Sequence, residues 1–131
     1  MRIRMTRLVL LYALLLLAVV WAADTGHLPI FAERIHRLPY VDKVVHFLMF
    51  GLLALGVNLS LAERHSWSLV RTIVTGGIFV AIVASLDETS NLVVTNRNWS
   101  LGDLAANYAG VLCVGIVPLL GWRSKAVDPT V

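Results

Sequence analysis

Four apolar stretches, at 8–23, 44–61, 69–86 and 104–122, leave this chain of 131 residues almost no choice of environment. Each is close to the roughly 20 residues that carry an α-helix across a hydrocarbon core of about 30 Å. They lack the two-residue alternation of a barrel strand, and a segment in lipid must satisfy its own backbone, so each is expected to be a helix. Composition agrees, with 58% hydrophobic and only 15% charged residues and a mean hydropathy of +0.78, far from a soluble average. The expected fold is all-α: one domain over residues 1–131, built as a four-transmembrane-helix bundle.

The first stretch follows Arg2, Arg4 and Arg7 and ends on Ala22-Ala23, which resembles a signal peptide. Its apolar run is long for such a segment, and three further stretches need a fourth for simple packing, so an uncleaved helix is expected. Orientation follows from the basic residues. Arg2, Arg4, Arg7, Arg64, Arg71, Arg123 and Lys125 fall on one side of the bundle, against Arg34, Arg37, Lys43 and Arg97 on the other. The positive-inside rule then puts both termini in the cytoplasm and the two longer loops outside, in a bacterial inner membrane. Trp21, Tyr40, Trp67, Trp99 and Trp122 fall near expected helix ends, where an aromatic belt sits. The net charge of +3 is explained by this topology, so no nucleic-acid partner is expected. The single Cys113 excludes an internal disulfide.

Against this background the polar residues at the mouths of the stretches need a reason, since ionisable groups in or near lipid are costly. Asp42 and His46 are four apart, so a helix puts them on one face, where the carboxylate can orient the imidazole. Asp103 and Asn107 are related in the same way, and Glu88 and Asn91 share a face if their helix continues that far. The two hairpins look alike, Asp42-x-x-x-His46 and Gly51 in one answering Asp103-x-x-x-Asn107 and Gly110 in the other, which suggests duplicated helical hairpins. If the helices bundle, Asp42, His46, Glu88, Asn91, Arg97, Ser100, Asp103 and Asn107 converge in a polar pocket at the outer face. Such a set suits an anionic or hydrogen-bonding headgroup.

Each residue also has a structural reading. Asp42 can cap its helix, and Ser100-x-x-Asp103 has the spacing of a capping box with Asp in place of Glu. His46 and Asn107 can be interhelical hydrogen bonds, and Arg97 can pair with Glu88. Lys43 reads as an ordinary interfacial group. Ala106-x-x-x-Gly110 fits close helix packing, and Asn98-Trp99-Ser100 matches a glycosylation acceptor by three residues only. No metal-ligand spacing stands out and no metal or cofactor is expected, although His46, Glu88 and Asp103 could converge on a cation. No phosphate-cradling loop and no Gly-x-Ser-x-Gly elbow is present.

The order and spacing of these motifs resemble the VanZ-like family of membrane proteins. The resemblance rests on Asp42-Lys43-x-x-His46-Phe47-x-x-Phe50-Gly51-x-x-Ala54, on Asp87-Glu88-x-x-Asn91, and on Arg97-x-x-Ser100-x-x-Asp103-x-x-x-Asn107-x-x-Gly110. It covers about residues 38–115, and Asn91 stands where the family usually has Gln. It implies a multi-pass protein of the bacterial cell envelope; the family is named for a protein associated with teicoplanin resistance, a link that does not transfer by itself to this chain.

Three functional readings follow. The leading one is a pocket for an envelope lipid or glycan precursor, with Asp42/His46 and Asp103/Asn107 as its floor and Glu88 and Arg97 at its rim. The second is an intramembrane hydrolase or transferase, with His46 as base oriented by Asp42, Glu88 or Asp103 as acid, and Arg97 steadying negative charge. The third is a scaffold whose polar residues only brace the bundle.

Overall fold

The computed structural model describes residues 2–94 and 98–126, which form six helices in the order α1 (Arg2–Asp24), α2 (Ile30–His36), α3 (Pro39–Arg64), α4 (Leu69–Ser90), α5 (Leu101–Cys113) and α6 (Val117–Ala126). Four spans are long and apolar enough to cross a membrane: Met5–Asp24, Pro39–Arg64, Leu69–Ser90 and Leu101–Gly121. At 1.5 Å per residue, the shortest of these, at 20 residues, still reaches about 30 Å. The all-α bundle of four membrane-length helices therefore stands.

Three features depart from expectation: a short helix in the first loop, an early start of α3 and a break in the last span. Chain exit from α1 is set by Gly26, whose φ of 70° is left-handed. The His27 N–H returns to the Ala22 carbonyl and the Gly26 N–H to that of Ala23, the paired bonds of a glycine-terminated helix. The next loop then holds a short helix, α2, that was read as irregular chain. Helix α3 starts at Pro39, five residues before the apolar stretch does, because proline suits the first helical turn while Leu38 before it is driven to an extended conformation (φ −80°, ψ 116°). Asp42 thus lies inside the first turn of α3 and does not cap it; Leu38 holds the cap position with no side-chain bond.

The third departure is a break in the last span, expected as one helix over 104–122. Pro118 has no N–H to give the carbonyl of Val114 and crowds it, so α5 ends at Cys113 and α6 resumes at Val117. Across the break the Leu119 N–H bonds to Ile116, leaving the Gly115 carbonyl without its helical partner. Asn58 of α3 supplies one: its Nδ2 donates to that carbonyl at 3.0 Å. An apolar environment makes such a substitute necessary, since the carbonyl has no water to turn to.

Helix α3 is the centre of the bundle, touching α1, α2, α4 and α5, most extensively α5. The two run in the same direction, and their backbones approach so closely that a side chain would not fit. A Cβ at Gly110 would overlap the Phe47 carbonyl, and one at Gly51 would sit 2.7 Å from Val114 Cβ. The residues that the suggested repeat would make counterparts, Gly51 and Gly110, therefore pack on each other. Around this seam Phe50, Leu53, Ala54, Val80, Ala84 and Val111 form the buried core. Among the described helices α1 packs against α3 alone, held by Tyr12 Oη donating to the Met49 carbonyl at 3.0 Å and by Thr6 Oγ1 lying 3.0 Å from Ser60 Oγ.

The seam gives a direct test. Gly110→Ala is expected to destabilise the bundle by about 1–3 kcal/mol, the usual cost of overpacking. Gly121→Ala, where a Cβ meets nothing within 4 Å, is expected to be near neutral. Thermal unfolding of both variants in detergent, followed by helicity and size exclusion, checks the contrast. Equal melting temperatures would rule out the close α3–α5 contact.

Candidate functional site

The polar residues collect at one end of the bundle, where α1 and α4 finish and α3 and α5 begin. The early start of α3 brings Asp42, Lys43 and His46 into its first two turns. The close α3–α5 seam then sets two of them, Lys43 and His46, against α5. His46 Nδ1 lies 3.1 Å from Asn107 Oδ1 in a buried bond. An amide oxygen only accepts, so Nδ1 is the donor in this bond and Nε2 is left on the other side of the ring. That nitrogen faces Asp42, whose Oδ1 is 3.8 Å away, beyond hydrogen-bond length. The role of orienting the imidazole, expected of Asp42, thus belongs to Asn107. Helical spacing does place Asp42 beside His46, but Asn107 meets the ring head-on from the facing helix.

Lys43, read as an ordinary interfacial group, belongs to the site. Its Nζ reaches Asp103 Oδ1 at 3.2 Å, with Asp103 largely buried. Its stem crosses Gly102, where a Cβ would come within 2.9 Å of Lys43 Cε. Asp103 also lies in the first turn of α5, where the positive end of the helix favours a carboxylate.

Ser100 caps α5 as its spacing predicts: Oγ accepts the Asp103 N–H at 3.3 Å. The reciprocal half of the capping box does not form within α5. The Ser100 N–H goes instead to Glu88 Oε1 of α4, at 2.6 Å. Glu88 takes the place an acid three residues along would normally fill, and Asp103 is left to receive Lys43. Glu88 is consequently not at the rim. It is 1% exposed, among the most deeply buried side chains described. Asn91 closes α4 as its C-cap residue and is also buried, so it shares this end of α4 with Glu88 although the helix proper stops at Ser90. Arg97 lies outside the described residues.

These groups border a cavity of about 710 Å³. Asp42, Lys43, His46, Asp87, Asn91, Ser100 and Asp103 contribute its polar lining, and Val19, Val20 and Ala23 of α1 contribute an apolar wall. Glu33 of the unexpected α2, Arg37 at its C-cap and Asn98 ahead of α5 also line it. Glu88 and Asn107 are not part of the lining; they lie among the buried groups that hold α4, α3 and α5 together. The site therefore combines a braced base with an accessible surface. Sequence reasoning missed Lys43, Asp87, Glu33 and Arg37. Lys43 and Asp87 already stood in the quoted motifs; nothing in the pattern marked α2.

The His46–Asn107 bond is open to a double-mutant cycle with His46→Phe and Asn107→Leu. An interhelical hydrogen bond in a membrane bundle predicts a coupling of about 1 kcal/mol. Unfolding in detergent measures it, and additive single effects would show that the two side chains do not interact. Comparison with protein-family profiles, with curated proteins and with solved structures finds no match to this chain.

Proposed function

We propose that this protein is a VanZ-like multi-pass component of the bacterial inner membrane, with both termini cytoplasmic, whose outward cavity receives the polar headgroup of an envelope lipid or lipid-linked glycan precursor. The observation that carries this reading is the two-sided lining of the cavity. Val19, Val20 and Ala23 present an apolar wall, while Lys43, His46, Asn91 and Ser100 offer hydrogen-bonding groups opposite acids. An amphipathic molecule seated at the end of a membrane bundle needs both. A pure scaffold accounts for the His46–Asn107 bond but gives no reason for a cavity of this size. A link to teicoplanin-type resistance rests on the motif resemblance alone.

A catalytic reading has one specific support. With Nδ1 held by Asn107, His46 Nε2 is positioned as a base beside Asp42, whose charge would stabilise the imidazolium. Chemical conversion of a lipid-linked substrate by the purified protein separates this reading from binding alone.

Binding is tested with the full chain in nanodiscs and a polyprenyl-phosphate lipid, followed by native mass spectrometry. Lys43→Ala is expected to weaken binding about tenfold, the equivalent of roughly 1.4 kcal/mol, with helicity retained. Wild-type protein that retains no such lipid, or a Lys43→Ala variant of unchanged affinity, would overturn headgroup binding through this cavity.

A further inference from the structure

Glu88 is placed where a carboxylate gains least. It sits in the last turn of α4, the negative end of that helix, beside Asp87, and the His46 within ligand distance of it is itself flanked by Asp42 and Asp103. One of its oxygens accepts the Ser100 N–H; the other, Oε2, is buried and has no hydrogen-bond partner. Three residues on, Asn91 has a buried Oδ1 in the same condition. Both orphaned atoms are acceptors, so another acceptor does not answer them. A buried carboxylate left half-satisfied is costly unless a cation or donor meets it.

The surrounding ligand atoms have the spacing of a cation site. A ring nitrogen of His46 and carboxylate oxygens of Asp87 and Glu88 all lie within 4.8 Å of one another, and His46 forms a second such triad with Asp42 and Asp103. Donor atoms on one ion sit about 2.0–2.5 Å from it, so two of them are at most roughly 4–5 Å apart. Either triad needs little or no contraction to hold an ion. The imidazole is also prepared: a metal-binding histidine usually donates its other N–H to an oxygen, as Nδ1 does here to Asn107.

We propose that His46 and Glu88, with the carboxylates of Asp42, Asp87 and Asp103 around them, bind one divalent cation at the base of the cavity. One imidazole nitrogen among carboxylate oxygens, with no thiolate, suits a hard-to-borderline ion such as Mn²⁺. The ion deepens the headgroup reading. The described lining of the cavity carries Glu33, Asp42, Asp87 and Asp103 against Arg37 and Lys43, an acidic balance that repels a phosphate. A bound cation would offset that charge and offer the phosphate oxygens a ligand position.

The test uses the purified full chain in detergent, freed of metal by a chelator and titrated with Mn²⁺ without any lipid ligand. Wild-type protein is expected to bind about one equivalent saturably, and pulsed electron paramagnetic resonance should show coupling to an imidazole nitrogen. Glu88→Gln is expected to weaken binding at least tenfold, and His46→Gln to abolish the nitrogen coupling. Because Glu88 is buried, Asp87→Asn serves as a second variant, expected to weaken binding while retaining wild-type helicity. No saturable Mn²⁺ binding, or binding without imidazole coupling in the wild type, overturns the site. Unchanged affinity in both the Glu88 and the Asp87 variants does so as well. Headgroup binding that persists in the metal-free protein would overturn the ion's role in holding the headgroup while leaving the headgroup reading intact. Mn²⁺ binding without headgroup binding would do the reverse.

Discussion

Everything at the polar end of this bundle depends on how closely α3 and α5 approach. Gly110 lies against the Phe47 carbonyl and Gly51 against Val114, so the two backbones meet with no side chain between them. At that separation a histidine on one helix reaches an asparagine on the other, and a lysine reaches an aspartate, without water between them. Larger residues at the seam would push the helices apart and leave the same polar groups buried and unpaired. Small residues are how membrane helices gain van der Waals contact where lipid offers no hydrophobic drive. Here they also set the reach of the polar side chains.

The same economy governs the helix ends. Backbone groups freed inside an apolar region must be answered from elsewhere in the protein. Glu88 answers the Ser100 N–H at the start of α5, and Asn58 answers the Gly115 carbonyl at its interruption. Each is a side chain from another helix doing what a local cap or the next helical turn does in ordinary chain. Asn58 even fills the space beside Gly76, where a Cβ would overlap its Oδ1. These polar residues therefore tie helix termination to helix packing, since the backbone groups freed at the ends of α5 are satisfied only when α3 and α4 are in place.

How far the sequence was legible follows from this. Length and apolarity were enough for four spans, since both are properties of single segments. The shared faces of Asp42 with His46 and of Asp103 with Asn107 were likewise legible from local spacing. Partner choice across helices was not: Asn107 rather than Asp42 bonds His46, and Glu88 rather than Asp103 completes the cap of Ser100. Those outcomes depend on the crossing distance and register of α3, α4 and α5, which no single segment encodes. Lys43 shows the limit most plainly. A lysine near a membrane interface extends its ammonium to water by default, and only the position of Gly102 and Asp103 on the facing helix shows that this one reaches across to α5. Pro118 was visible as a helix breaker but lay within an apolar run long enough to conceal the interruption.

Helix α1 stands apart from this interdependence. It contributes Val19, Val20 and Ala23 to the cavity, yet α3 is its only neighbour among the described helices, and most of its leucines face outward. The wall of the cavity and the framework that anchors its polar base are thus carried by different helices. A substitution at Val19 or Val20 can widen or narrow the chamber without touching the α3–α5 seam or the buried polar bonds. The dimensions of the chamber and the integrity of its polar base can therefore change independently of each other.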